Sequence, residues 1–308
     1  MIEKYYDGAI EQVAAGLGTV EKNYLLVRYS GQFSVENLND TKQLEKNEDI
    51  FVQVHEFETG EITCAYEPYL TMICDGFRRY MTGTFEEFME TCDVYYLHRP
   101  VLLGYFNQDN TGREEIILLD EVAYEQERML AALERMLCAI ADRHPVLFVL
   151  NRFQLASKST IQLTARFLKC ENCNIGLVLG VSDIQAMPEF LVPDWEMLYE
   201  TLDDGSKIYH IGNSGRKKEE TIDDEKYVDY GSEKVYRKLQ NMVEFLDFDQ
   251  AAYYLETIER KIKFDNLLVD DAARFRMWLL FVKVSILRQD IPKAVSYTHL
   301  TLPTICSV

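Results

Sequence analysis

Several groups of residues in this chain have the types, if not always the spacing, that chemistry needs. Cys170 and Cys173 form a single Cys-x-x-Cys. A structural zinc needs four ligands, and no second pair stands at a matching spacing. A redox pair draws thiolate stabilisation from a helix N-terminus, whereas this one falls at a helix end, where the dipole opposes the anion. They read as free thiols. His55, His98, His144 and His210 are far apart, with no Ser, Cys or Asp beside them in a nucleophile pattern, and read as strand-edge or turn residues. GNSGRKK, residues 212–218, has the glycines and cations of a phosphate loop but lacks the four-residue gap, and it follows the last strand instead of the first. It reads as solvated linker. No catalytic residue and no metal site is assigned on these patterns. What remains is a polar pair, Asn151 and Arg152, at the end of the apolar run VLFVL, and the Ser30, Gly31 and Ser34 of RYSGQFSVENLND, residues 28–40.

The elements that must position those residues follow from periodicity. Residues 3–17 place Ile10, Val13, Ala14 and Leu17 at helical spacing. NYLLVRYSG, residues 23–31, reads as a buried strand ending in a turn, residues 33–46 as helix, and DIFVQVHEF, residues 49–57, as an alternating strand. Residues 66–81, with Pro68 near the start, and 85–92 read as helices; residues 94–119 give no single pattern. From 121 to 143, Met129, Leu130, Leu133, Met136, Leu137 and Ile140 form one apolar stripe, which Pro145 stops. VLFVL, residues 146–150, is an unalternating run of the kind covered on both faces in a parallel sheet. A helix capped by Ser157 or Ser159 follows, then the apolar strands NIGLVLGV, residues 174–181, and KIYHI, residues 207–211. Strands alternating with helices predict βαβ units and a parallel sheet.

Residues 212–231 are charged and poor in large aliphatics, a linker. Helices are expected over 235–246, 249–264 and 270–288. LDFDQAA, residues 246–252, and RQDIPKA, residues 288–294, share an Asp, an apolar neighbour and an Ala four residues on, at a spacing of 43 residues. That pattern suggests a helical repeat, with a period longer than the usual ~34 residues of tetratricopeptide units. One helix, with Phe275, Trp278, Leu279, Phe281, Val282 and Ile286, is apolar on most of its surface, so part of that surface is expected to be exposed.

The chain has 308 residues, enough for two domains at about 150 each. Its net charge of −19, from 51 acidic and 32 basic residues, argues against a phosphate-binding face for nucleic acid. No apolar run approaches the roughly 18 residues that span a bilayer, and the acidic N-terminus is unlike a secretory signal. Scattered cysteines suit a reducing compartment, so a cytoplasmic protein is expected. Residues 295–308 fit nothing before them. Back-translated, 295–304 can be written GTC TCT TAT ACA CAT CTG ACG CTG CCG ACG, which resembles the transposase adapter of short-read DNA libraries read through into an open frame. The tail is set aside on that ground, with His299 and Cys306, and the natural chain is expected to continue past Ala294.

PVLFVLNRFQLASKSTIQL, residues 145–163, resembles the Walker B segment of the signal-transducing STAND branch of the AAA+ ATPases, where an apolar strand ends in two acidic residues before a turn and a Ser/Thr-opened helix. NIGLVLGVSD, residues 174–183, is similar to that family's next strand, ending at the sensor position. AYEPYLTMICDGF, residues 65–77, is similar to its Pro-Tyr segment after the second strand. The resemblance spans about residues 1–211. It implies an α/β, doubly wound parallel sheet of the P-loop NTPase kind, followed after the linker by an all-α helical-repeat segment over 232–294 that binds protein partners. In bacterial signalling proteins of this arrangement the output domain lies C-terminal, a diguanylate cyclase being one familiar choice.

The departures bear on function. A working phosphate loop needs glycines, a Lys on the phosphates and a Ser or Thr on the metal; the region of Ser30, Gly31 and Ser34 has one Gly and no Gly-Lys-Ser/Thr. At the Walker B end, Asn151 and Arg152 stand where the family has acids. Asn lacks the charge that holds Mg²⁺, and Arg152 would repel it. The expectation is an eroded nucleotide site, no cofactor, and a non-catalytic regulatory and protein-interaction module, the N-terminal part of a larger signalling protein. The competing expectation is an active ATP- and Mg²⁺-dependent switch whose phosphates are held by Arg216, Lys217 or Lys218. The oligomeric state is left open.

Overall fold

The computed structural model describes residues 2–17, 24–29, 49–58, 60–109, 121–170, 174–182, 188–202, 208–211, 229–264 and 269–295. The expected helix over 33–46, Ser30, Gly31 and Ser34, Cys173, the GNSGRKK stretch with Arg216, Lys217 and Lys218, and the tail from 296 lie outside these. The chain divides into two compact units. Met1–Val94 with Leu130–Lys226 makes one; Tyr95–Met129 with Tyr227–Val308 makes the other. Residues 95–129 thus group with the C-terminal helices, a division that a boundary near 211 does not contain.

The first unit is an α/β structure built on a parallel sheet. Its strands are β1 (Tyr24–Tyr29), β2 (Phe51–Glu56), β3 (Val146–Asn151), β4 (Ile175–Ser182) and β5 (Ile208–Ile211), in the spatial order β2-β3-β4-β1-β5, every pair parallel. The unalternating run of β3 is buried along its whole length, as a strand covered on both faces must be. Alternate residues go to opposite faces. Leu147 and Val149 join Leu25, Val27, Tyr29 and Val178 under helix α1 (Ile2–Gly16), through Ala9, Ile10 and Val13. Gly176 lets α1 come close, because a Cβ there would lie 2.7 Å from a Val13 methyl. On the other face the Phe148 ring meets Tyr69 edge-on at 4.8 Å, and Tyr69 meets Phe167 at 5.3 Å. Tyr69 opens α2 (Tyr69–Tyr80), and Phe167 belongs to α6 (Lys158–Lys169). Helix α3 (Phe85–Thr91), with a complete capping box from Thr84 and Glu87, follows α2; α4 (Arg99–Asn107) and α5 (Val122–Ala141) as far as Met129 belong to the second unit, and the rest of α5 to the first. All six predicted stripe residues of α5 are buried. Helix α7 (Val192–Leu202) and α4 have no counterpart among the sequence-based expectations.

In the second unit, α8 (Glu233–Glu244), α9 (Phe248–Phe264) and α10 (Asp271–Leu287) occupy the three expected helical segments. The joins at 246–247 and 289–290 have the same backbone. Leu246 (φ 66°) and Gln289 (φ 60°) are left-handed, and Asp247 and Asp290 follow with their amides bonded to Met242 and Ser285 carbonyls, both at 2.8 Å. Each Asp carboxylate then accepts an amide three residues on, from Gln250 at 3.4 Å and Lys293 at 3.3 Å. Ala251 and Ala294 are both buried. The 43-residue recurrence is therefore a recurrence of one helix–turn–helix geometry. Among the described residues, no helix is long and apolar enough to cross a membrane.

The two left-handed positions separate strain from burial. Gln289 is exposed, so Gln289→Gly should raise stability by about 0.5–1 kcal/mol by relieving the αL conformation. Leu246 is buried, so Leu246→Gly should lose about 2–4 kcal/mol despite the same relief. The midpoints of urea unfolding report both signs.

Candidate functional site

Ligands of open parallel sheets bind outside the carboxyl ends of strands, where the chain reverses its direction of progress across the sheet. Here β1 is followed by β2 at the far edge, β3 and β4 step back toward β1, and β5 lies beyond it. The reversal falls between β1 and β4, so the residues to inspect are the last ones of β1, β4, β3 and β2.

Those residues form a polar row on the α1 face. Tyr29 ends β1, Asn151 ends β3 and Glu56 ends β2, with Glu56 and Asn151 register partners. β4 lies between Tyr29 and Asn151. There, Gly180 pairs with Val27 and Ser182 with Tyr29, both on the Val178 face. Across β4 the Tyr29 hydroxyl donates to Asn151 Oδ1 at 2.7 Å, both residues being buried. Arg152 follows in a left-handed conformation (φ 52°), with its guanidinium 3.3 Å from a Glu56 carboxylate oxygen. The Ser182 amide at the end of β4 donates to Gln154 Oε1 at 3.2 Å. Burial pushes the Tyr29 phenol up to about 12; the Arg152 charge works against this and the Glu56 charge with it.

The chemistry of this row is closed. Asn151 Oδ1, the acceptor a metal-bound water would use, takes the Tyr29 proton. The Glu56 carboxylate faces a guanidinium. The phenol stays neutral at ordinary pH. Among the described residues, the end of β3 presents an amide and a guanidinium where Mg²⁺ would call for anionic oxygens.

Two segments that carry the family resemblance meet in space. The Tyr66 amide donates to Ser159 Oγ at 3.0 Å, Thr160 Oγ1 donates to the Glu67 carbonyl at 2.9 Å, and the Tyr69 hydroxyl lies 2.6 Å from Thr164 Oγ1. Ser157, not Ser159, caps α6, accepting the Thr160 amide at 3.3 Å. Cys170 ends α6 as its C-cap. His55 and His210 lie on the edge strands β2 and β5, and His144 stacks on Tyr80 in a turn.

His98 closes a turn, its amide donating to the Tyr95 carbonyl at 2.9 Å, and is fully buried at the N-cap of α4, with Nε2 3.0 Å from Glu125 Oε2 on α5. Glu125 also pairs with Arg128 at 2.8 Å, and that guanidinium lies over the Tyr95 and Tyr124 rings at 4.1 and 4.4 Å. The two residues are 27 positions apart, and only the acid among the first residues of α5 hinted at it.

No protein-family model matches this chain, and no curated protein matches it either.

Tyr29→Phe leaves a buried acceptor on Asn151 and should cost about 1–3 kcal/mol at neutral pH, measured by chemical denaturation. A pH dependence follows from the phenol. Its pKa is raised from 10.0 to about 12 on folding, so the stabilisation is complete below 10.0 and is lost as the pH climbs toward 12. The stability gap between wild type and Tyr29→Phe should narrow over that window; a gap that stays constant contradicts the assignment.

Proposed function

We propose that this chain is a non-catalytic regulatory and protein-interaction module, cytoplasmic, and part of a larger bacterial signalling protein. Its first unit keeps a doubly wound, AAA+-like frame whose nucleotide site has eroded. The reading is supported by an all-parallel sheet with α1 on one face and α2 and α6 on the other, and by the contacts between the Pro-Tyr segment and the helix after β3. The single observation that carries it is the engagement of Asn151 by Tyr29 and of Glu56 by Arg152 at the strand ends. Among the described residues, the acceptor and the acid at the ends of β3 and β2 are both engaged inside the protein, which disfavours their holding a metal or polarising an attacking water. The second unit supplies tetratricopeptide-like helices as the surface for protein partners, and signal passes by a shift in packing, with each partner favouring one of two arrangements.

Isothermal calorimetry with ATP and Mg²⁺ tests this. The expected result is no saturable heat at micromolar nucleotide and no phosphate release above buffer. Tight Mg²⁺-dependent binding with turnover overturns the reading and favours an active switch.

A further inference from the structure

The carboxyl end of β1 carries a cation on the face opposite Tyr29. Side chains alternate along a strand, so Arg28 leaves the sheet away from α1 and meets α7. Its register partner is Val181 of β4, which places it beside the point where the order of the sheet reverses. The guanidinium lies 4.7 Å over the Tyr199 ring of α7. Trp195, one helical turn earlier on the same face of α7, has its ring 5.2 Å from that of Tyr199. Phe153 meets Trp195 at 5.6 Å from the other side of the sequence, after β3.

Two donors in this cluster are unsatisfied. Arg28 Nε and Trp195 Nε1 are both buried and have no hydrogen-bond partner among the described residues. Trp195 is 2% exposed, and the half-buried Arg28 is paired with no acid among the described residues. The polar side chains next to Trp195 and Phe153 in sequence are engaged elsewhere. Asp194 accepts from Gln162 Nε2 at 2.7 Å, and Gln154 accepts the Ser182 amide at 3.2 Å. Donors and cations that lose water are normally matched, because desolvation without a partner is costly. An aromatic ring against one face of a guanidinium fixes its plane and leaves its edge donors for a planar acceptor.

We infer that Arg28, Trp195 and Tyr199 form a binding site for a small monocarboxylate, at the carboxyl end of β1 on the α7 face. The guanidinium edge takes the carboxylate oxygens, the Trp195 indole N–H is a further donor, and the aromatic rings flank the ligand's apolar body. One cation balances one negative charge. A phosphate monoester, at roughly −1.5 to −2, would leave an excess in a chain whose net charge is already −19. The site goes beyond the regulatory reading above, giving the first unit a small-molecule input, and shares no residue with the Tyr29–Asn151 row.

The test titrates the full chain with sodium acetate, sodium benzoate and, at matched ionic strength, inorganic phosphate. The indole N–H resonances of Trp195 and Trp278 are followed by ¹⁵N NMR. A carboxylate should shift the Trp195 signal saturably with about millimolar affinity, leaving Trp278 in place, and phosphate should move neither. Arg28→Gln should weaken the response by about tenfold or more. In urea unfolding, benzoate should raise the midpoint of the wild type and not that of Arg28→Gln. A Trp195 signal that neither carboxylate moves, or that moves equally in Arg28→Gln, overturns the inference, water then being the partner of these donors. So does an equal response to phosphate. So does an Arg28→Gln chain that loses the same stability with and without benzoate, since stacking on Tyr199 is then the whole role of the arginine. Titration with ATP and Mg²⁺ reads the strand-end row and these titrations read Arg28, so the two can fail separately.

Discussion

The hydrogen bond from Tyr29 to Asn151 spans a strand that neither residue belongs to, and the carboxyl edge of the sheet is organised by that reach. A parallel sheet covered on both faces can keep polar side chains only where its strands run out. Each such group must then find a partner or carry the cost of its desolvation. Gly180 lies on this face of the middle strand, two residues before Ser182, the register partner of Tyr29.

From that contact the rest of the row follows. With Asn151 held by Tyr29, the chain turns at Arg152 through a left-handed residue, and the guanidinium swings toward Glu56 on the edge strand. Arg152 and Glu56, each only partly exposed, offset one another's charge there. The amide and the cation at the end of β3 are therefore matched by internal partners.

How much was legible in the sequence depended on the range of the cause. VLFVL declared a doubly covered strand because a short apolar run without alternation needs cover on both faces, and the α5 stripe declared its buried face through its helical spacing. Ser157 announced the start of α6 through local capping. By contrast, the Tyr29–Asn151 pair joins residues 122 positions apart, and nothing local in RYSG or LNRF marks them as partners. His98 was legible as a turn residue, but its pairing with Glu125 was not, because the acid lies on another helix. Helix α4 escaped because RPVLLGYF mixes β-branched and aromatic residues with Pro and Gly, and α7 because VPDWEMLYETL, with Pro at its second position, shows no long stripe.

The helical half was legible for a different reason: a repeat states its geometry twice. One Asp after a helix is weak evidence of a cap, but Asp247 and Asp290, each followed by Ala at the same distance, constrain each other. The structure adds a third correspondence. Glu233 and Arg276, themselves 43 residues apart, face one another at 2.9 Å. Equivalent sites on successive helices thus carry opposite charge, where identical units would have placed like beside like. Exposed pairs of this sort contribute little stability, about 0–1 kcal/mol. Their value lies in register, because a helix slipped by one turn would bring Glu233 opposite an apolar position and lose the match.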